Sequence, residues 1–230
     1  MLEQILPALG NMGLETPALL IVLIALEAVL SADNAIALAA IAKGLPNEAD
    51  REKALNLGLV VAYVLRMTLI LTASWVNSYW QFQILGAAYL LWLTYKHFAS
   101  NAAEDDGTEV SEYSSLWQVV PIIGITDLAF SLDSVTTATA ISSNIWLVLA
   151  GGTAGVITLR FMAGLFIRWL TEYANLEDAG YVTVGLVGLR LATRAVQPSL
   201  VPPEWVTIAL IAGIFLWGFS RKAVSEGGES

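Results

Sequence analysis

The sequence predicts an all-α integral membrane protein of seven transmembrane helices, built as two inverted-topology three-helix repeats plus one extra C-terminal helix, N-out and C-in. Three observations predict it. Of 230 residues, 57% are hydrophobic and only 13% charged, about half the charge of an ordinary soluble domain. Seven apolar runs, each bounded by charge, Pro or Gly, approach or exceed the length that crosses a bilayer. A short acidic motif also recurs 100 residues further along the chain.

The runs fall at 17–41, 55–76, 82–98, 117–140, 145–169, 180–196 and 204–220. They divide the chain into a first repeat (1–98), an acidic linker (99–116, containing AEDDGTEVSE), a second, inverted repeat (117–197), and a seventh helix with the C-terminal tail (198–230). The linker reads as a solvated connection. The first 17 residues hold two glutamates and neither lysine nor arginine, so no secretory leader is expected there. Orientation follows from basic residues, which favour the cytoplasmic side. With the N-terminus outside, the inner side carries Lys43, Arg51, Lys53, Lys96, Arg168, Arg221 and Lys222, and the outer side only Arg194 with Arg190. Tryptophans 75, 80, 117, 146, 169, 205 and 217 lie near span ends, where an interfacial aromatic belt belongs.

The duplication is read from polar matches, since apolar ones are cheap in membrane sequences. EAVLSADNA (27–35) matches DLAFSLDSV (127–135), pairing Glu27 with Asp127, Ser31 with Ser131, Asp33 with Asp133 and Asn34 with Ser134. In the following span of each half, Gly58, Arg66 and Trp75 match Gly152, Arg160 and Trp169. Three spans is an odd number, so the second copy enters the membrane from the opposite side. Inverted repeats of this kind place a substrate site near the midplane between the copies.

Glu27, Asp33, Asp127 and Asp133 all fall well inside predicted spans. One aspartate at the centre of an inserting helix costs about 3 kcal/mol, so four demand partners. Arg66 and Arg160 supply two positive charges as supporting ion pairs, which leaves two negative charges for one divalent cation or two protons to neutralise. Glu27, Ser31 and Asn34 share a helical stripe, as do Asp127, Ser131 and Ser134. Asp33 and Asp133 sit 100° off it. Either they widen the face of a regular helix, or the helix opens around Ser31 to Asn34 and frees backbone carbonyls; opening is the expectation. The hydroxyl-rich run SVTTATAISS (134–143) marks a polar path or simple back-bonding to the preceding turn.

Oxygen donors of these types suit hard ions: manganese, magnesium or calcium. The chain has no cysteine, which excludes disulfides, thiolate metal sites, iron–sulfur clusters and cysteine nucleophiles. Its one histidine, His97, lies at a span end and reads as interfacial, so zinc is disfavoured. Twenty acidic residues against 11 basic ones give a formal charge of −9, which disfavours nucleic acid and favours cationic partners. Gly151, Gly155, Gly185 and Gly188 read as close-packing sites between helices.

EAVLSADNA, its copy DLAFSLDSV and the paired mid-span arginines resemble the TerC family of integral membrane proteins over residues 15–220. The resemblance implies seven helices within a superfamily of amino acid and metal exporters, with manganese efflux as the function and tellurite resistance as the source of the name. An acid-lined site has no physical reason to take the tellurite anion. Carried over by motif, the metal-site residues are Glu27, Asp33, Asn34, Asp127, Asp133 and Ser134. The expectation is therefore a transporter exporting Mn2+, not an enzyme, with no cofactor. Its partners are the metal ion, membrane lipid and coupling protons, and its place is the plasma or inner membrane, or a thylakoid membrane. Two alternatives stand beside it: a non-transporting metal sensor or assembly factor, and an intramembrane aspartyl protease using Asp33 and Asp133.

Overall fold

Seven helices of 15 or more residues account for most of the computed structural model, which describes residues 15–103 and 113–222. They are α1 (Glu15–Lys43), α2 (Glu48–Leu71), α3 (Trp80–Ala103), α4 (Leu116–Ile141), α5 (Ile145–Glu172), α6 (Leu176–Val196) and α7 (Glu204–Gly218). A single helical turn, Ala73–Val76, links α2 to α3, and a 3₁₀ turn, Pro198–Leu200, precedes α7. Among the described residues there is no strand, only an isolated bridge between Tyr173 and Lys222. Among the described residues α2, α4 and α5 are long and apolar enough to cross a membrane, and Trp205–Gly218 is a shorter apolar helix.

Local sequence sets the helix starts. Asn47, Ser115 and Asn144 each accept a hydrogen bond from the backbone N–H two residues on, at Ala49, Trp117 and Trp146, which satisfies an otherwise orphaned donor. The Asn47 cap, with Glu48 and Asp50 in the first turn, starts α2 seven residues before its apolar run, because a charged turn complements the helix dipole and need not enter lipid. Helix α3 likewise continues to Ala103, into the stretch expected as linker. The acidic residues 104–112 lie outside the described ones. After them Tyr113 is buried against Gly44, where a Cβ would meet its ring at 2.7 Å.

The packing has an internal symmetry. The most extensive contacts are α1 on α5, α2 on α4 and α3 on α6. Exchanging α1, α2, α3 with α4, α5, α6 maps this set onto itself. Small residues permit the approach: a Cβ on Gly58 would meet Ile123 at 2.6 Å, one on Gly124 would meet Val61 at 2.7 Å, and one on Gly152 would meet Ile70 at 2.8 Å. Gly151, Gly185 and Gly188 are less tight, with a Cβ at 3.3 Å from Leu23, 3.1 Å from Thr94 and 3.1 Å from Leu90. Helix α7 stands outside this scheme and leans on α6 and the end of α5, with Phe215 stacked on Phe166 and Phe219 edge-on to Trp169 and Tyr173.

Polar contacts gather at one end of the bundle. Lys43 at the end of α1 meets Glu177 at 2.5 Å, His97 near the end of α3 meets Asp178 at 2.9 Å and stacks on Tyr181, and the Ala174 N–H donates to Arg221. Large apolar side chains cover the outside instead, among them Ile21, Val60, Val64, Leu85, Phe161, Leu189 and Leu216. That is the inverse of a water-facing surface. Trp75, Trp80, Trp117, Trp146, Trp205 and Trp217 are exposed at or near helix ends.

Candidate ion site

Helices α1 and α4, which carry the two acidic motifs, touch each other in the interior. Both run unbroken through the motif, so the expected opening at Ser31 to Asn34 does not occur. On α4 the motif's hydroxyls bond within their own helix. Ser131 Oγ donates to the Asp127 carbonyl at 2.7 Å, and Thr136 and Thr139 donate to Leu132 and Val135 at 2.6 and 2.8 Å. This is back-bonding to the preceding turn, which leaves the helical ladder intact here.

The buried acids form two clusters. In the first, Arg66 lies between two helices' acids: Nη1 donates to Glu27 Oε2 at 3.0 Å, Nη2 to Asp127 Oδ1 at 2.9 Å and Nε to Asp127 Oδ2 at 3.3 Å. One planar guanidinium thus forks onto Asp127 and reaches Glu27 with its remaining arm. Arg66, Asp127 and Glu27 are 0%, 0% and 5% exposed. Gly155 on α5 makes the room, since a Cβ there would stand 2.8 Å from Glu27 Oε2 and 3.2 Å from Arg66 Nη1.

The second cluster is centred on Asp133, six residues and therefore about 9 Å along α4 from Asp127. Asp133 Oδ2 accepts from Arg190 Nη1 at 2.7 Å, and Oδ1 accepts from Arg194 Nη1. Arg194 also reaches the Thr137 hydroxyl at 3.4 Å. Arg190 and Arg194 are one turn apart on α6, so both point to the same face.

These contacts correct the sequence reading in three places. Arg160 is not a supporting partner of the acids: its Nε donates to Asn56 Oδ1 at 2.5 Å, on a part of α2 that is exposed. Arg190 and Arg194, which the sequence reading counts only as outer-side charges, both meet Asp133. The charge count changes accordingly, because Glu27, Asp127 and Asp133 meet Arg66, Arg190 and Arg194, three against three. Asp33 lies on α1 with its side chain outside the described ones, and it brings the total to four acids against three bases. The i, i+4 spacing of Arg190 and Arg194 within an apolar run was the available signal.

The remaining motif residues are also buried: Ser31, Asn34, Ser131 and Ser134 are 0%, 4%, 0% and 6% exposed. Among the described residues the hydroxyls of Ser31 and Ser134 have no hydrogen-bond partner, which costs about 1–3 kcal/mol each unless another group supplies one. Among the described residues no three His, Cys, Asp or Glu side chains gather closely enough to hold a metal ion. An ion site here would draw on Asp133 together with neutral oxygens.

Fold and site together define a polytopic helical membrane protein with ion-paired acids buried where its motif-bearing helices meet. The chain belongs to the TerC family of integral membrane proteins, whose profile matches residues 12–225. It is 37% identical over 200 residues to "Uncharacterized membrane protein YceF" of Bacillus subtilis, covering 84% of this chain and 77% of that one. It is 36% identical over 197 residues to "Uncharacterized membrane protein YkoY" of the same organism, covering 78% of this chain but only 60% of YkoY. The "UPF0053 inner membrane protein YgdQ" of Escherichia coli is 27% identical over 205 residues, covering 82% and 85%. No solved structure matches the chain.

Proposed function

We propose that the protein is a divalent-cation transporter that exports Mn2+ across the cell membrane, with inward-moving protons as the driving ions. The observation that carries this reading is that, among the described residues, the buried hydroxyls Ser31 Oγ and Ser134 Oγ, one in each copy of the acidic motif, have no hydrogen-bond partner. Hard oxygen donors left unsatisfied within the acidic motifs have the chemistry of a site for Mn2+, Mg2+ or Ca2+. In this reading Asp33, Asn34, Asp133 and Ser134 contact the cargo. Glu27 and Asp127, saturated by Arg66, fix the motif-bearing helices around it.

The exchange symmetry of the helix contacts supports two inverted three-helix repeats with α7 as an addition, and hence alternating access by rocking of one repeat against the other. The ends that hold Lys43, Arg221 and Lys222 are then cytoplasmic, and the printed description of YgdQ as an inner membrane protein favours the same membrane here over a thylakoid. Export of a divalent ion against an interior 100 mV negative costs about 4.6 kcal/mol, two charges at about 2.3 each. A proton arriving at Asp33 as the metal leaves would offset it. An aspartyl protease, by contrast, needs a carboxyl pair sharing a proton, whereas both oxygens of Asp133 are taken by guanidiniums.

The test is Mn2+ accumulation by inverted vesicles with and without an imposed proton gradient. Gradient-driven accumulation that is lost in Asp133→Asn is expected. Accumulation indifferent to the gradient removes the coupling, and Mn2+ binding to purified protein with no flux in liposomes would replace transport by a sensor or delivery role.

A further inference from the structure

The two clusters differ in how their acids are held. In the first, Glu27 and Asp127 share the single guanidinium of Arg66, whereas in the second Asp133 is met by two, from Arg190 and Arg194. A cation approaching Asp133 therefore meets a carboxylate already covered on both oxygens by guanidinium. Mutual repulsion of the two arginines and repulsion of the metal act in the same direction.

The two arginines are not equally held. The side chain of Arg190 is 9% exposed and that of Arg194 is 24% exposed, against 1% for Arg66. Arg194 lies within three residues of the end of α6, and its other contacts are weak ones: the Asp133 carbonyl at 3.5 Å and the Thr137 hydroxyl at 3.4 Å. It is the member that leaves at least cost, since a partly exposed guanidinium recovers water when it swings out.

We propose that Arg194 is a tethered cation that competes with the cargo metal for Asp133. This rests on the transport reading above. With the metal bound, Arg194 is displaced from Oδ1. When the metal leaves, Arg194 returns, neutralises the carboxylate and prevents immediate rebinding, so the empty carrier crosses back without a bare anion in the membrane interior. Arg190, deeper on the same face, stays in place and holds Asp133 in register. The asymmetry between the clusters thereby has a role: Arg66 locks helices permanently, and Arg194 occupies a site only between cargoes.

Two measurements on the detergent-purified full-length protein test this, with Mn2+ as the only added ligand. Titration followed by electron paramagnetic resonance of free Mn2+ should show Arg194→Gln binding about tenfold tighter than the natural protein, because a like charge in contact with the ligand's acceptor is gone. Arg194→Lys, which keeps the charge, should stay close to the natural affinity, and Asp133→Asn should abolish the gain. Unchanged or weaker binding by Arg194→Gln overturns the proposal. The natural protein supplies an independent readout: phenylglyoxal modification of Arg194, measured by peptide mass spectrometry, should accelerate when Mn2+ is added. A rate that is unchanged or slowed by Mn2+, in protein that binds the ion, overturns the tethered cation alone. Absence of Mn2+ binding in the natural protein and every variant overturns the transport reading as well.

Discussion

Arg66 and Arg160 occupy matching places in two similar helices, at the ends of GLVVAYVLR and GTAGVITLR, yet the fold uses them in opposite ways. Arg66 is wholly buried and bonded to two carboxylates from two other helices. Arg160 is partly exposed and bonded to the side-chain amide of Asn56. Repeated helix packing therefore does not imply repeated electrostatics. The difference follows from supply: one guanidinium has enough donors for both Glu27 and Asp127, and once Arg66 has taken both, no acid of the first cluster is left for its counterpart. Asp133 is then served from a third helix, α6. The outcome is one locked cluster and one looser one, not two equivalent sites.

The sharpest way to break this comparison is Arg66→Leu. It leaves Glu27 and Asp127 facing each other without a counter-charge in the bundle interior, and removal of one partner from a buried ion pair costs about 3–5 kcal/mol. Unfolding in mixed detergent–SDS micelles, followed by tryptophan fluorescence, should show a loss of that size. Arg66→Lys should recover only part of it, because an ammonium has no planar fork to span both acids. A loss below about 1 kcal/mol for Arg66→Leu would mean that the cluster does not hold the helices together.

Gly155→Ala probes the same cluster more gently. The new methyl would stand 2.8 Å from Glu27 Oε2 and 3.2 Å from Arg66 Nη1, and overpacking of this kind costs about 1–3 kcal/mol. The helix preference of Ala over Gly returns up to about 1 kcal/mol. A net loss of roughly 1–2 kcal/mol is expected in the same unfolding assay. Net stabilisation would show that α5 stands farther from the cluster than these distances indicate.

Much of this architecture is legible in the sequence, and the reasons are physical. Apolar runs bounded by charge report helices because length and hydrophobicity are the bilayer's two demands. The observed helices fall on those runs, differing at capped, charged ends such as Glu48 and at the extension of α3 to Ala103. The burial of Glu27, Asp127, Asp133 and Ser134 was legible from their depth within spans. Partnership was not. Sequence position pairs Arg66 with Arg160 by duplication, but contact depends on which helix faces which, and Arg190 and Arg194 reach Asp133 only because α6 brings their shared face to α4. Counting outer-side charges concealed them.

The smallest expected effect sharpens the comparison most directly. Arg160→Gln removes a guanidinium at the position equivalent to Arg66, but it breaks only a bond to a neutral, exposed amide. No carboxylate is stranded, and glutamine keeps a donor within reach of Asn56. Exposed polar pairs contribute about 0–1 kcal/mol, so the variant should unfold within about 1 kcal/mol of the natural protein and, on the proposed transport function, bind Mn2+ as that protein does. If Arg160→Gln instead matched Arg66→Leu in its loss, Arg160 would have to meet the buried acids in another conformation of the chain. The two arginines would then exchange roles as the helices rock, and the asymmetry argued here would belong to one state only.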